Sequence, residues 1–327
     1  MTQFESGIVS DVAITGASGF VGRRLCQHLL ANGSNVHACV RAVDSLELES
    51  VAASVRVVSD ITDAERWAEV FGGVDVVVHL AALVHQPRVT DPEAYRSVNV
   101  DGTRAVATAA VETGVRRIVF VSTIKVNGES TDYDRPFRAD DPPLGSDPYA
   151  LSKLEAERLL ADVSRKSGIE LVVVRPVLVY GPGVGGNFLR MLKLVTSGIP
   201  IPLGSIANRR SILYLDNLCE LIQFSCHSSQ AAGKVLLAAD DEPLSTPELL
   251  RNLGLQLGTR PSLLKIPTPV LTAVGTLLGR REDVRRLCGS LHVDTNPLRE
   301  LGWSQPISTE DGLAATGEWF MQARARE

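Results

Sequence analysis

The sequence predicts an α/β fold: a doubly wound parallel sheet followed by a smaller mixed α/β region. Three observations carry that expectation. Short β-rich apolar runs alternate with helical patterns from Asp11 to Val174. A glycine-rich turn, Gly16-Ala17-Ser18-Gly19-Phe20-Val21-Gly22, separates the first strand from the first helix. After residue 180 the alternation loosens, yet strand and helix patterns return between 210 and 240 with no linker before them. Residues 1–180 are therefore expected to form the sheet domain, completed by elements from 210–240. Residues 181–327 are expected to form an interleaved second region.

Composition narrows the class. The chain has 327 residues, 44% hydrophobic and 22% charged, as a soluble globular protein has. A net charge of -5 argues against a broad nucleic-acid surface. The five cysteines, Cys26, Cys39, Cys219, Cys226 and Cys288, show no C-x-x-C pairing and no histidine at metal spacing. They are expected to be buried or incidental thiols in a reducing compartment, with no metal site. Met1 to Ser10 lacks a basic segment and a long apolar run, so a cytoplasmic protein without a signal peptide is expected. Ile266 to Leu278 is apolar but interrupted by Pro267, Pro269 and Gly275. It is too short to span a bilayer and reads as a core helix, with contact to a membrane surface as the alternative.

The elements follow in order. Asp11–Thr15 is a strand, and Arg23–Ala31, with Leu25, Leu29 and Leu30 at helical spacing, is a helix stopped by Asn32-Gly33. A Gly-x-x-Gly-x-x-Gly turn in that position brings backbone N–H groups and a helix N-terminus to a pyrophosphate. Gly16 allows the tight turn, Gly19 the approach of phosphate, and Gly22 the close packing of helix on strand. The second strand, Asn35–Val40, ends at Arg41, with Asp44 further on. An acid at that strand end bonds the 2′-hydroxyl of NAD, whereas an arginine accommodates the 2′-phosphate of NADP, so Arg41 favours NADP.

Val55–Ser59 is the third strand, followed by Asp60, and Asp63–Phe71 is a helix. Asp75–Leu80 is a buried-type strand running into Ala81-Ala82, where a backbone can pass close to a ligand. His79 reads as a strand-end packing residue, and His85 lies in the loop beyond. Pro92–Thr113 is a long helix containing Asn99 and Gly102. Arg117–Ser122 is the fifth strand, with Thr123 just past the carboxyl end, where open α/β sheets bind ligands. After a polar, proline-rich loop, Asp147-Pro148 starts a helix running to about Ser167. That helix carries Tyr149 and Lys153 on one face. A neighbouring ammonium favours the phenolate, so a lowered Tyr149 pKa and acid–base work near neutrality are expected. Leu171–Val174 is the sixth strand, ending in Arg175-Pro176. Helices are expected over Phe188–Thr196, Asp216–Ser225 and Pro247–Leu257, and a final short one over Thr295–Leu301; strands are expected at Arg210–Leu215 and Lys234–Ala238.

Taken together, the glycine turn, Asp60, His79-Leu-Ala-Ala, Asn99, Ser122-Thr123, Tyr149-x-x-x-Lys153 and Arg175-Pro176 resemble the extended short-chain dehydrogenases/reductases. The similarity is closest to their nucleotide-sugar epimerase, dehydratase and reductase group and covers nearly the whole chain. It implies a Rossmann-type sheet, a bound NADP or NAD, a UDP-sugar substrate and a homodimer paired through the Pro92–Thr113 and Tyr149 helices. It implies cofactor contacts from Gly16, Ser18, Gly19, Phe20, Val21, Gly22, Arg41, Asp60, Ile61, Leu80, Ala81, Ala82, Asn99, Tyr149, Lys153 and Pro176. Tyr149 would be the acid/base, Lys153 its pKa-lowering neighbour, and Thr123 the hydroxyl that holds the reacting oxygen. Asn187 and Arg210 would meet the substrate's pyrophosphate, with Arg281, Arg285 or Arg286 as a second phosphate-binding arginine. Where many epimerases of the group carry Tyr-Gly, this chain has Asn127-Gly128. The run Ser122-Thr-Ile-Lys-Val-Asn-Gly128 resembles bacterial UDP-4-keto-6-deoxy-N-acetylhexosamine reductases of surface-polysaccharide pathways, which would place Lys125 and Asn127 near the sugar. A 4-ketoreductase is thus the first expectation and a UDP-glucose or UDP-N-acetylglucosamine 4-epimerase with bound NAD the second. A non-catalytic cofactor sensor is disfavoured by an intact Thr123, Tyr149 and Lys153.

Overall fold

The computed structural model describes residues 10–42, 50–84, 91–277, 279 and 281–325, without the side chains of 281–283. The strands in chain order are β1 (Asp11–Thr15), β2 (Asn35–Val40), β3 (Ser54–Val57), β4 (Val76–His79), β5 (Arg117–Val121), β6 (Glu170–Pro176), β7 (Leu178–Tyr180), β8 (Ile212–Tyr214) and β9 (Val235–Ala238). Seven of them form one sheet in the order β3-β2-β1-β4-β5-β6-β9, with every pairing parallel. Burial on both faces explains why these segments read as unbroken apolar runs. Val12, Ile14, Val76, Val78, Val119 and Val172 belong to the core of one face, while Ala13, Val77, Ile118 and Val173 belong to the other.

Helices α1 (Phe20–Ala31) and α7 (Leu215–His227) cover the first face with Leu25, Leu29, Leu218, Leu221 and Ile222. Helices α2 (Ala64–Phe71), α4 (Gly102–Glu112) and α5 (Pro148–Ser167) cover the second with Trp67, Phe71, Ala105, Ala109, Ala156 and Leu160. β1 pairs with β2 on one side and β4 on the other, so successive crossovers leave it in opposite directions. The carboxyl ends of those strands therefore frame the crevice where such sheets bind ligands.

The long helix expected over Pro92–Thr113 is present, but with an irregularity. A regular turn, α3 (Pro92–Arg96), passes into a π-helical turn over Ser97–Asp101 before α4 begins. β9 pairs with β6 at the edge of the main sheet, and α7 packs on its first face. β8 does not join the main sheet; it pairs with β7 in a separate two-stranded sheet. A third core forms around that pair from α6 (Gly186–Val195), α8 (Thr246–Gln256) and α12 (Thr309–Arg324), through Phe188, Leu192, Leu250, Leu253, Leu313 and Phe320. Buried Asp240 ties it together, accepting hydrogen bonds from Tyr214 N, Asn217 Nδ2 and Tyr180 Oη.

Two expectations for the C-terminal region are corrected. The helix α11 (Asn296–Glu300) is not the last, because the sixteen-residue α12 follows it. The apolar stretch near residue 270 is indeed a helix, α9 (Thr268–Leu277), but it is not in the core: Val270, Val274 and Leu277 are 49%, 48% and 86% exposed. It packs against α10 (Arg281–Cys288). No disulfide occurs among the described residues; four cysteines are buried and Cys288 is half-buried. Burial raises the pKa of each, which leaves their thiols unreactive.

Candidate active site

The glycine turn forms a close-packed cradle. Gly16 has φ +72°, and a Cβ there would lie 2.9 Å from the backbone nitrogen of Ala81. A Cβ on Gly22 would lie 2.3 Å from the carbonyl oxygen of Gly16, so α1 can sit on the turn only with glycine at this position. Gly19 is the N-cap of α1, with no side-chain cap and no acid in the first turn. By contrast, α2, α5, α8 and α12 are capped by Asp63, Asp147, Ser245 and Ser308. A bare helix end at the sheet's switch point offers unsatisfied N–H groups and a positive dipole end, which fits the pyrophosphate of a dinucleotide.

The crevice between β1 and β4 is fixed by a relay of hydrogen bonds. Leu80 N and Ala81 N donate to Thr15 Oγ1 at 3.2 and 3.1 Å. Thr15 Oγ1 lies 2.7 Å from His79 Nδ1, and His79 Nε2 lies 3.0 Å from Thr103 Oγ1. The Thr103 hydroxyl donates to the Asn99 carbonyl, so the assignment that satisfies every group puts the imidazole proton on Nε2. Burial, assisted by Lys153, pushes the His79 pKa down to about 3. His79 is thus a neutral packing strut, as expected of it.

Of the other expected cofactor residues, Ser18 is exposed, and Phe20, Val21, Leu80, Ala81 and Ala82 are half-buried around the crevice. Arg41 is exposed immediately past β2. Asp60 is exposed past β3, and its carboxylate accepts from Thr62 N and Thr62 Oγ1, which lowers its pKa. Ile61 packs on Gly102, where a Cβ would approach it to 2.9 Å. Asp44 and His85 lie outside the described residues.

Asn99 is neither solvated nor a packing accident. From the π-turn its Oδ1 accepts from Leu83 N at 2.7 Å, and its Nδ2 donates to Leu83 O at 3.0 Å and Ser152 Oγ at 2.9 Å. Ser152 Oγ donates to Tyr149 O at 2.8 Å. The amide therefore locks the chain leaving β4 to the first turn of α5, which carries Tyr149. Irregular helical turns of this type recur at functional sites.

Asp147 caps α5 by accepting from Ala150 N at 3.0 Å, with Pro148 in the first turn. Half-buried Tyr149 shares a wall of one cleft with Thr123, and its ring tilts against Tyr95 at 6.3 Å between centroids. Lys153 is buried, its ammonium 3.9 Å from the centroid of the Phe120 ring. Here the electrostatic expectation is corrected. Burial raises the Tyr149 pKa to about 12 against the opposing Thr123 hydrogen bond. Burial also lowers that of Lys153 to about 7, against the pull of Glu157. Within the chain itself the ammonium is committed to Phe120, and desolvation of the phenol decides.

Thr123 and Tyr149 open into a cleft of about 860 Å³, also lined by Lys125, Pro176, Asn187, Arg190, Arg210 and Arg286. Lys125 Nζ lies 2.8 Å from Asp147 Oδ2 and 3.3 Å from Glu129 Oε1, and Glu129 also pairs with Arg286. Arg210 donates to the carbonyls of Arg286 and Gly289, and burial lowers its pKa. Among the described residues no carboxylate lies within ion-pair distance of Arg190 or Arg210. Of the two candidate second arginines with described side chains, Arg286 lines the cleft and Arg285 does not; the side chain of Arg281 lies outside the described residues.

Asn127 is a correction. It is fully buried, donating to Arg138 O at 2.8 Å and accepting from Arg175 at 2.9 Å, behind the cleft rather than in it. Arg190 is a charged cleft residue that the sequence analysis does not single out. It stands three residues after Asn187 on α6, a spacing that puts both on one helix face.

A bare glycine turn at the switch point, Thr123 beside Tyr149 and a cation-lined cleft together fit a nicotinamide-dependent enzyme of the short-chain dehydrogenase/reductase type. Comparison with known proteins makes the assignment narrower. The chain belongs to the NAD dependent epimerase/dehydratase family, whose model matches residues 12–237. It is 37% identical to a UDP-glucose 4-epimerase of Vibrio cholerae over 97% of both chains. It is 26% identical to an N-acetyl-alpha-D-glucosaminyl-diphospho-ditrans,octacis-undecaprenol 4-epimerase of Escherichia coli O157:H7 over 96% of both. Among solved structures, the dTDP-glucose 4,6-dehydratase of Streptomyces venezuelae superposes with a TM-score of 0.77 at 27% identity, covering 97% of this chain and 98% of that one. The UDP-glucose 4-epimerase of Thermotoga maritima shares the fold at a TM-score of 0.79 and 23% identity, covering 96% and 99%.

Proposed function

We propose that this enzyme exchanges a hydride with C4 of a UDP-linked sugar, in the direction that reduces a UDP-4-keto-6-deoxy-N-acetylhexosamine for surface-polysaccharide synthesis. The observation that carries the reading is the shape of the cleft. The Thr123–Tyr149 pair opens into the same space as Asn187, Arg190 and Arg210, so one ligand can place a carbonyl on the first group and a diphosphate on the second. A guanidinium fork without a carboxylate partner suits paired phosphate oxygens. The Vibrio relative, by its name, acts on a UDP-sugar.

A bound nicotinamide dinucleotide supplies the hydride. The chain's residues do the rest. The bare end of α1 and the Gly16–Gly22 turn hold the pyrophosphate. Thr123 holds the reacting oxygen. Tyr149, with its pKa at about 12, keeps its proton at neutral pH and can give it to the nascent alkoxide, which is the role reduction asks of it. Arg41 at the end of β2 favours the 2′-phosphate of NADPH, the usual partner of net reduction.

Replacing Arg41 by alanine should weaken NADPH roughly tenfold or more while leaving NADH nearly unchanged, since a hydrogen bond to a charged group contributes about 1.5–3 kcal/mol. Equal losses in fluorescence titrations of the two cofactors would remove Arg41 from that role. Arg190→Ala and Arg210→Ala should each raise the KM for the UDP-sugar roughly tenfold with a smaller change in kcat. An unchanged KM for both would mean that the diphosphate lies elsewhere.

A 4-epimerase is the second reading, favoured by the named activity of the Vibrio relative. It needs the same residues and no net cofactor. Incubation with a panel of UDP-hexoses and UDP-4-keto sugars, followed by nicotinamide absorbance, separates the two. Stoichiometric loss of NADPH supports reduction, and interconversion of C4 epimers without it supports epimerisation.

A further inference from the structure

Helix α9 is the anomaly of the fold. Ten residues long and without a charged residue, it buries only Gly275 among its described residues. Val270, Val274 and Leu277 stand exposed on it. Two of its three threonine hydroxyls are turned inward. Thr272 Oγ1 donates to Thr268 O at 3.0 Å and Thr276 Oγ1 to Thr272 O at 2.8 Å, so neither donor asks for water. That is how threonine is accommodated on a helix in apolar surroundings.

Charge identifies the partner. The chain as a whole carries -5, yet no acid occurs from Lys265 to Gly279. Between Arg260 and Arg285 the sequence carries Arg260, Lys265, Arg280, Arg281 and Arg285 against Glu282 and Asp283, and Arg260 and Lys265 stand exposed. An apolar helix set between basic flanks is complementary to a bilayer with anionic headgroups: apolar side chains enter the acyl boundary and cations meet the lipid phosphates. Ten residues span about 15 Å, half of a hydrocarbon core, so the helix suits lying in the interface and not crossing it.

We propose that α9 and its basic flanks dock this enzyme reversibly on an anionic membrane surface. α10 packs on α9 and contributes Arg286 and Leu287 to the cleft, so docking brings the cleft beside the headgroup layer. The single apolar anchor is short, so attachment depends on charge and yields to salt.

The test is sedimentation of the full chain with vesicles of phosphatidylcholine alone or mixed with phosphatidylglycerol, at low and high salt. The unaltered protein should pellet with the anionic vesicles at low salt, and at least about tenfold less with neutral vesicles or at high salt. Val274→Asp/Leu277→Asp should abolish pelleting and leave turnover of soluble substrate unchanged, since both sites are exposed and outside the cleft. Protein that stays in the supernatant with anionic vesicles overturns the proposal, whatever the variant does. So does equal pelleting of the variant. A lipid-free dimer that the same two substitutions dissociate in light scattering also overturns it, because a second copy is then the occupant of the face.

Discussion

Tyr149→Phe should lower kcat by about 10²–10⁴-fold, the range that a positioned proton donor contributes, while dinucleotide affinity changes by less than about threefold. The substitution removes one oxygen from the wall of the cleft and leaves the cradle of Gly16, Gly19 and Gly22 untouched. Thr123→Ala should also slow turnover. The double variant should be little worse than Tyr149→Phe alone, because both hydroxyls line one wall of the cleft and serve one reacting oxygen. Steady-state rates with a cofactor titration on each variant check this. A Tyr149→Phe enzyme retaining more than about a tenth of its activity would take the phenol out of the chemistry.

Glu157→Ala should destabilise the protein by about 3–5 kcal/mol, lowering Tm on the order of 10 °C. Glu157 and Arg175 are 7% and 8% exposed, with hydrogen bonds of 3.0 and 2.6 Å between them, and Arg175 also donates to Asn127. Removing the carboxylate strands a buried guanidinium with only a neutral amide for company. Glu157 lies four residues after Lys153 on α5 and is the group that opposes the fall of its pKa. Its loss should therefore push the Lys153 pKa below about 7 and cost the ammonium its charge at neutral pH. Calorimetry and a pH–rate profile measure the two effects. A Tm shift of less than about 2 °C would show that the pair is not stabilising.

Much of this site was legible because its signals are local. The glycine turn, the Tyr149–Lys153 spacing and the strand end at Thr123 each depend on a few adjacent residues whose geometry follows from one element. What failed depends on which way a side chain faces. Asn127 and Lys125 are two residues apart in a short 3-10 turn, and only the packing of Arg175 behind it decides that Asn127 points inward and Lys125 into the cleft. Arg190 could have been found from its spacing with Asn187, had α6 been known to border the cleft. The lowered Tyr149 pKa was inferred from a neighbouring charge, but desolvation and the Phe120 ring under Lys153 are tertiary facts.

The C-terminal errors have two different causes. α12 carries Gly312 and Gly317 inside its sixteen residues, which weakens a helical pattern. In the structure a Cβ at Gly312 would lie 2.7 Å from Tyr180 Oη, so this glycine serves packing against the small sheet. α9 misleads for the opposite reason: its apolar composition argues for a core, and nothing local reveals that Val270, Val274 and Leu277 stay exposed.

The most direct test of the central claim follows the hydride itself. The protein is incubated with NADPH deuterated at the transferring position of its nicotinamide and a UDP-4-keto-6-deoxy-N-acetylhexosamine, and the product sugar is examined by NMR and mass spectrometry. The expected result is one deuterium at C4 of the sugar for each NADPH oxidised. A product with deuterium elsewhere, or no label in any UDP-sugar while NADPH remains intact, would contradict the account.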